Sequence, residues 1–126
     1  MGRKAKAKMP KDELNSILYK ILVPEDILFN FEIVDATNYS ERWVIELQEF
    51  EDRIPRELKE VNDVVLDGFC NPIEVISHSF SAKPVWLRIY RRRWKRSNTD
   101  THYSNEYDFR LKGLKLVPEL GIFLKE

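Results

Sequence analysis

The stretch KPVWLRIYRRRWKR, residues 83 to 96, decides more of the fold than any other part of the chain. Its positions form two alternating sets, of which the apolar set is Val85, Leu87 and Ile89, and the aromatic and basic set is Trp86, Arg88, Tyr90, Arg92, Trp94 and Arg96. Successive side chains of a β-strand point to opposite faces of the sheet. The alternation therefore predicts a strand that buries the apolar set and exposes the other set along its whole length.

The same stretch concentrates positive charge. Seven of its fourteen positions are Lys or Arg, none is acidic, and two Trp and one Tyr lie between the charges. Arginine neutralises phosphate, and flat rings offer a surface on which bases stack. The pattern therefore predicts contact with nucleic acid through nine residues, which are Lys83, Arg88, Tyr90, Arg91, Arg92, Arg93, Trp94, Lys95 and Arg96.

The segments before this stretch indicate helices followed by strands. Residues 11–23 carry an apolar stripe with helical spacing, and residues 25–30 form a short second helix after Pro24. The apolar period then falls to two, which predicts a hairpin of strands over residues 31–34 and 42–50. Residues 64–69 lead into a turn at residues 70–72, and a further strand is predicted over 73–80. Residues 1–10 are rich in lysine, lack an apolar period and are predicted to be a disordered basic arm.

We expect residues 11–126 to form a single α+β domain with a mostly antiparallel β-sheet. An N-terminal helical hairpin and a short C-terminal helix over residues 118–126 complete it. Polar residues 97–101 predict a loop, after which residues 103–109 return as a strand. If that strand pairs with the basic one, Glu106 and Asp108 could neutralise part of it. Two acids cannot cancel seven bases, so we favour a basic face with a function.

Charge is segregated along the chain although the net charge is zero. Residues 25–74 hold fourteen Asp or Glu against four Lys or Arg, and the rest of the chain holds seventeen basic against seven acidic residues. This asymmetry can give one molecule two electrostatic faces. Solubility alone explains it equally well.

The sequence lacks the residues that several kinds of functional site require. A zinc site needs about four ligands of the Cys or His type, and the chain offers Cys70, His78 and His102 without paired spacing. We found no phosphate-binding glycine loop and no hydrolase motif, so we expect no enzyme, no metal and no cofactor. A single cysteine excludes an internal disulfide and favours the cytoplasm, and no apolar run approaches the roughly 18 residues of a membrane span.

Four stretches resemble the N-terminal region of the Aon-type insertion-sequence transposases, relatives of transposases that begin with a zinc finger. The most specific stretch is residues 83–94, which is similar to the family pattern K-x-V-x-L-x-x-x-R-R-R-W. The weaker ones are residues 21–34, 66–70 and 114–125. The zinc ligands of the finger-bearing relatives are missing here. Apolar packing must replace them, with four candidate fillers, Trp43, Phe69, Trp86 and Trp94.

The resemblance implies a non-catalytic DNA-binding or accessory role in transposition, acting on duplex DNA at the ends of the element. It places the strand-cutting carboxylates in the catalytic transposase polypeptide. A second hypothesis is a protein-interaction module that docks on that polypeptide through the acidic residues 25–74 or an exposed sheet edge. A third is a degenerate fragment of a mobile element that has no activity.

Overall fold

The computed structural model of the chain describes residues 21–109 and 115–116. The predicted basic arm and C-terminal helix lie outside these residues, as does most of the predicted first helix. None of the described helices has the length and hydropathy that a membrane crossing requires. In chain order, the elements are α1 (Glu25–Asn30), β1 (Phe31–Asn38), β2 (Trp43–Glu49), a 3-10 turn (Arg56–Leu58), β3 (Val64–Phe69), β4 (Ile73–Phe80), β5 (Lys83–Tyr90), β6 (Arg92–Arg96), β7 (His102–Tyr103) and β8 (Lys115–Leu116).

The strands form two sheets. The first sheet has the order β1-β2-β5-β4-β8, and the second has the order β3-β6-β7. All pairings are antiparallel except that of β2 with β5, which is parallel. The fold is therefore mostly antiparallel β-sheet with few helices, as the sequence predicts.

Strand β5 lies at the centre of the five-stranded sheet and carries its core. Val85, Leu87 and Ile89 are each 0% exposed, which confirms the alternation for this strand. They belong to one cluster with Ile27 of α1, which confirms the inward face of that helix, and with Leu47 of β2. Each fully buried aliphatic side chain stabilises the fold by about 1.5–3 kcal/mol.

The alternation does not continue through residue 96, because the chain changes sheets at Arg91. Strand β5 ends at Tyr90, and β6 begins at Arg92 as the central strand of the second sheet. Trp94 is only 4% exposed there, so the prediction that it lies on an exposed face is wrong. Because the chain changes sheets at Arg91, the face of β6 that is buried does not follow from the alternation counted along β5.

The return segment is shorter than predicted. Only His102–Tyr103 pairs with β6, with Tyr103 opposite Trp94. The following residues turn back over the first sheet, where Tyr107 and Phe109 place their rings 5.0 and 6.2 Å from the ring of Phe31. The predicted strand over residues 103–109 is therefore wrong beyond its first residue.

Candidate nucleic-acid interface

Arg88 lies between two carboxylates on the face of the first sheet that points away from the core. It is opposite Glu46 of β2 and Glu74 of β4 in the strand register. Its guanidinium contacts them at 3.2 and 2.8 Å, and its side chain is 26% exposed. Burial acts to lower the pKa of Arg88, but the hydrogen bonds and charges of the two glutamates outweigh it and raise the pKa. The two glutamates of the neighbouring strands therefore hold the Arg88 guanidinium within its own sheet.

Arg91 and Arg92 are also held inside the fold, with side chains that are 15% and 14% exposed. Arg91 Nη1 donates to the backbone oxygen of Asn105 at 3.2 Å and to Glu106 at 2.9 Å. Arg92 Nε donates to the backbone oxygen of Glu49 at 2.7 Å. The Arg92 guanidinium also lies 4.8 Å from the ring centroid of Phe69. Both arginines join segments that are distant in the sequence.

Arg93 and Arg96 are the more accessible arginines of the stretch, at 43% and 50% exposure. Arg93 Nη2 lies 3.8 Å from Asp67, and Arg96 Nε lies 3.1 Å from Asp63. A hydrogen bond from His102 is the main cause that lowers the pKa of Asp67. Arg93 and Arg96 already have Asp67 and Asp63 beside them, so phosphate would have to compete with these carboxylates.

All five arginines of residues 83–96 thus have carboxylate partners within the fold. The expectation that Glu106 or Asp108 would neutralise Arg88 or Arg92 is wrong, since Arg88 pairs with acids of β2 and β4 and Arg92 with the segment after β2. Residues 21–109 hold seventeen Asp or Glu against eleven Lys or Arg, a net charge of −6. The six partner acids are Glu46, Glu51, Asp63, Asp67, Glu74 and Glu106.

The two aromatic members of the predicted site are structural as well. Trp94 is buried, and its indole Nε1 has no hydrogen-bond partner among the described residues. Tyr90 is half-buried and meets Phe69 of β3 edge to face, with centroids 5.9 Å apart. Neither ring is presented for stacking on a base.

A different cluster of cations and rings lies at one end of the first sheet. Because β2 and β5 are parallel neighbours, with Trp43 opposite Val85, their N-terminal ends lie at the same edge. The β1–β2 turn and the β4–β5 turn therefore lie side by side. The second of these is a tight turn in which Ser81 and Ala82 both adopt left-handed backbone conformations, with φ of 55° and 65°.

Lys83 is fixed at this end by its own neighbours. Its Nζ donates to the backbone oxygen of Tyr39 at 2.7 Å and to Asn38 Oδ1, and it lies 4.7 Å from the ring centroid of Trp43. Trp43 Nε1 donates to the backbone oxygen of Phe80 at 3.0 Å. The rings of Trp43 and Phe80 meet edge to face at 5.5 Å.

Arg42 makes the matching contact on the other face of the sheet. Its guanidinium lies 4.5 Å from the ring centroid of Trp86 and 5.8 Å from that of Tyr39. Its Nε is buried without a hydrogen-bond partner in the described part of the chain. No described carboxylate lies within ion-pair distance of Arg42 or Lys83. We name the six residues the cation–aromatic end: Tyr39, Arg42, Trp43, Phe80, Lys83 and Trp86.

The cation–aromatic end still exposes ring surface. Tyr39 is 48% exposed and Phe80 is 39% exposed. Of its six residues, only Lys83 belongs to the site that the sequence predicts. A signal does exist, because each turn is flanked by an aromatic residue and a cation. Only the parallel pairing of β2 with β5 brings the two turns together, and nothing local in the sequence encodes that pairing.

A buried carboxylate forms a further polar centre that sequence reasoning missed. Glu49 is 0% exposed and accepts hydrogen bonds from the Arg92 backbone N–H at 2.8 Å, from Asn105 Nδ2 at 2.8 Å, and from the Tyr107 hydroxyl. Burial raises the pKa of Tyr107, and the hydrogen bond to Glu49 raises it further. Glu49 thus joins the end of β2 to the start of β6 and to residues 105–107.

Within residues 21–109 and 115–116, no three His, Cys, Asp or Glu side chains are grouped as a metal site requires. A scan of family models found no match to the chain, and searches of curated proteins and of solved structures found none either. The resemblance to Aon-type transposases stays a prediction.

Proposed function

We propose that this protein is a non-catalytic DNA-binding module that serves an insertion-sequence transposase, and that it contacts DNA through the cation–aromatic end. One observation carries the choice of surface. Arg42 and Lys83 are held against aromatic rings, and no carboxylate of the described residues lies in ion-pair distance of them, whereas the five arginines of residues 83–96 are paired with acids. Cations that are already fixed lose little conformational freedom when they bind phosphate.

The link to transposition comes from the resemblance of residues 83–94 to the family pattern. The ends of an insertion sequence are therefore the first DNA to test.

A cytoplasmic location belongs to the same proposal. The segments outside residues 21–109 carry a net charge of +6, which would offset the acidity of the described part when DNA approaches.

Replacing Arg42 and Lys83 with alanine is expected to weaken DNA binding. Each cation that neutralises one phosphate contributes about five- to eightfold to affinity at 0.1 M salt, so the double variant should lose about 25- to 60-fold. The slope of log affinity against log salt should become shallower by about 0.7–0.9 for each cation removed. Fluorescence anisotropy of labelled DNA across a salt series measures both quantities.

The matched control is the Arg56→Ala/Lys59→Ala double variant. It removes the same charge from two exposed residues in and just after the 3-10 turn. An equal loss in both double variants would show that binding follows net charge alone and would contradict the assigned surface. A wild-type chain that binds no DNA would contradict the function.

A second function, docking on the catalytic transposase polypeptide, is favoured by the edge of the first sheet. Among the described residues, β1 pairs only with β2, and its other edge is unpaired. Glu32 and Asp35 are exposed on this strand, and Val34 is 44% exposed at a bulge in its register. Such an acidic edge suits a basic segment that adds as a further strand.

For this second function, a Glu32→Lys/Asp35→Lys variant should lose capture of the catalytic polypeptide, because it replaces two attractive charges with repulsive ones. Pull-down after nuclease treatment measures the interaction without DNA. The control is Glu57→Lys/Glu60→Lys, which reverses two exposed acids in and next to the 3-10 turn. Capture that survives the edge variant, or is absent in the wild type, would rule out this mode.

A further inference from the structure

We infer that the cation–aromatic end takes unpaired nucleotides of single-stranded DNA rather than the duplex that the sequence suggests. This ligand class rests on the DNA-binding function proposed above. Bases would stack on Tyr39 and Phe80, and Lys83 and Arg42 would bind phosphate.

One fixed ammonium group links the two turns that carry the exposed rings, because Lys83 follows the turn of Phe80 and bonds to the turn of Tyr39. Lys83 Nζ is bonded to the backbone oxygen of Tyr39 and lies over Trp43, whose ring contacts Phe80. A ring can stack on a base only if one face of that base is open. Duplex DNA keeps both faces of its bases inside the helical stack, so it would leave the Tyr39 and Phe80 rings unused.

The cations at this end retain hydrogen-bond donors for a phosphate. An ammonium group has three N–H donors, and Lys83 uses two of them on Asn38 and Tyr39. Arg42 donates no hydrogen bond to a described residue, and its guanidinium lies 4.5 Å from the ring centroid of Trp86. A guanidinium in this position can bind a phosphate with two parallel hydrogen bonds and present its own plane to a base.

The small number of cations at this end also favours a single strand. The site offers only Arg42 and Lys83, and the exposed Glu41 adjoins Arg42 in the sequence. A duplex carries twice as many phosphates along its axis, so it meets more repulsion around a site with only two cations. A single strand can bring one or two nucleotides to the site and keep the rest away.

The test compares three labelled ligands of one length: a single-stranded oligonucleotide, its duplex, and a single strand with abasic sites. We expect the single strand to bind at least about tenfold more tightly than either of the others. Tyr39→Leu and Phe80→Leu should each weaken single-strand binding by about 5- to 150-fold, the range measured for one lost stacking contact. Neither change should alter duplex binding.

The control is Phe29→Leu, which removes a ring that is 71% exposed on α1. The indole N–H resonance of Trp43 reports independently on the site, because this group hydrogen-bonds to Phe80. It should shift with the single strand and not with the abasic strand. Tyr39 makes no ring contact with Trp43, so Tyr39→Leu serves as the test if Phe80→Leu disturbs the turn.

The outcomes separate the ligand class from the function. Duplex binding that equals single-strand binding and ignores the ring variants would overturn the single-strand inference and leave DNA binding standing. Abasic binding equal to that of the intact strand would reduce the site to phosphate contact and also overturn it. If the wild-type chain bound none of the three DNA ligands and captured a protein at this end, both the single-strand inference and the DNA-binding function would be wrong.

Discussion

Replacing Glu49 with alanine is expected to lower the free energy of unfolding by about 3–5 kcal/mol, because buried hydrogen-bond donors lose their acceptor. The Glu49 carboxylate is fully buried and receives hydrogen bonds from the Arg92 backbone, Asn105 and Tyr107. Alanine leaves the Arg92 N–H and the Tyr107 hydroxyl without their acceptor, leaves Asn105 Nδ2 with only the Arg53 backbone oxygen, and opens a cavity. Each unsatisfied buried donor costs about 1–3 kcal/mol.

Urea unfolding followed by tryptophan fluorescence measures this change. The control is Glu51→Ala, because the Glu51 side chain is 72% exposed and its contact with Arg92 is 3.8 Å long. We expect that change to stay within about 0.5 kcal/mol of the wild type, as is usual for surface positions. A loss of less than about 1 kcal/mol for Glu49→Ala would show that residues 105–107 are not held by this carboxylate.

Local periodicity predicted the parts of the fold that depend on a single segment. Val85, Leu87 and Ile89 are buried as their alternation indicates, and α1 turns Ile27 inward. The β1–β2 hairpin also forms, with its turn slightly later than expected. In each case a run of apolar residues at one spacing determines which face is buried, whichever element covers that face.

Pairing between distant segments could not be predicted in the same way. The sequence does not show that β2 lies parallel to β5, since strand alternation looks the same in either direction. It also does not show that the chain leaves the first sheet at Arg91, because three consecutive arginines carry no apolar period. Trp94 was placed on the exposed face by counting parity across this break.

The acidic and basic segments of the sequence contact each other in the fold. Glu46, Asp63, Asp67 and Glu74 belong to the acidic residues 25–74, and the structure brings them against arginines of residues 83–96. Much of the expected positive face is therefore used in joining strands. Among the described residues, Arg42 and Lys83 belong to none of these pairs and rest on aromatic rings instead.

The Arg91→Ala/Arg92→Ala double variant separates these two uses of positive charge. We expect the free energy of unfolding to fall by about 2–4 kcal/mol, since each arginine donates a charged hydrogen bond to a half-buried or buried backbone oxygen, at Asn105 and Glu49. Hydrogen bonds of this kind contribute about 1.5–3 kcal/mol each. The sequence alone predicts a different result, in which the fold is kept and DNA binding is lost.

DNA binding of the same variant is measured at low temperature, where near-ultraviolet circular dichroism shows that the chain is folded. We expect an affinity loss no larger than that of Arg56→Ala/Lys59→Ala, which removes two charges without touching a buried partner. Arg91 and Arg92 are 15% and 14% exposed, so phosphate cannot reach them without displacing Glu106 or the Glu49 backbone. If the double variant kept the wild-type free energy of unfolding but no longer bound DNA, the arginine stretch would be the DNA-contacting surface. The assignment to the cation–aromatic end would then be wrong.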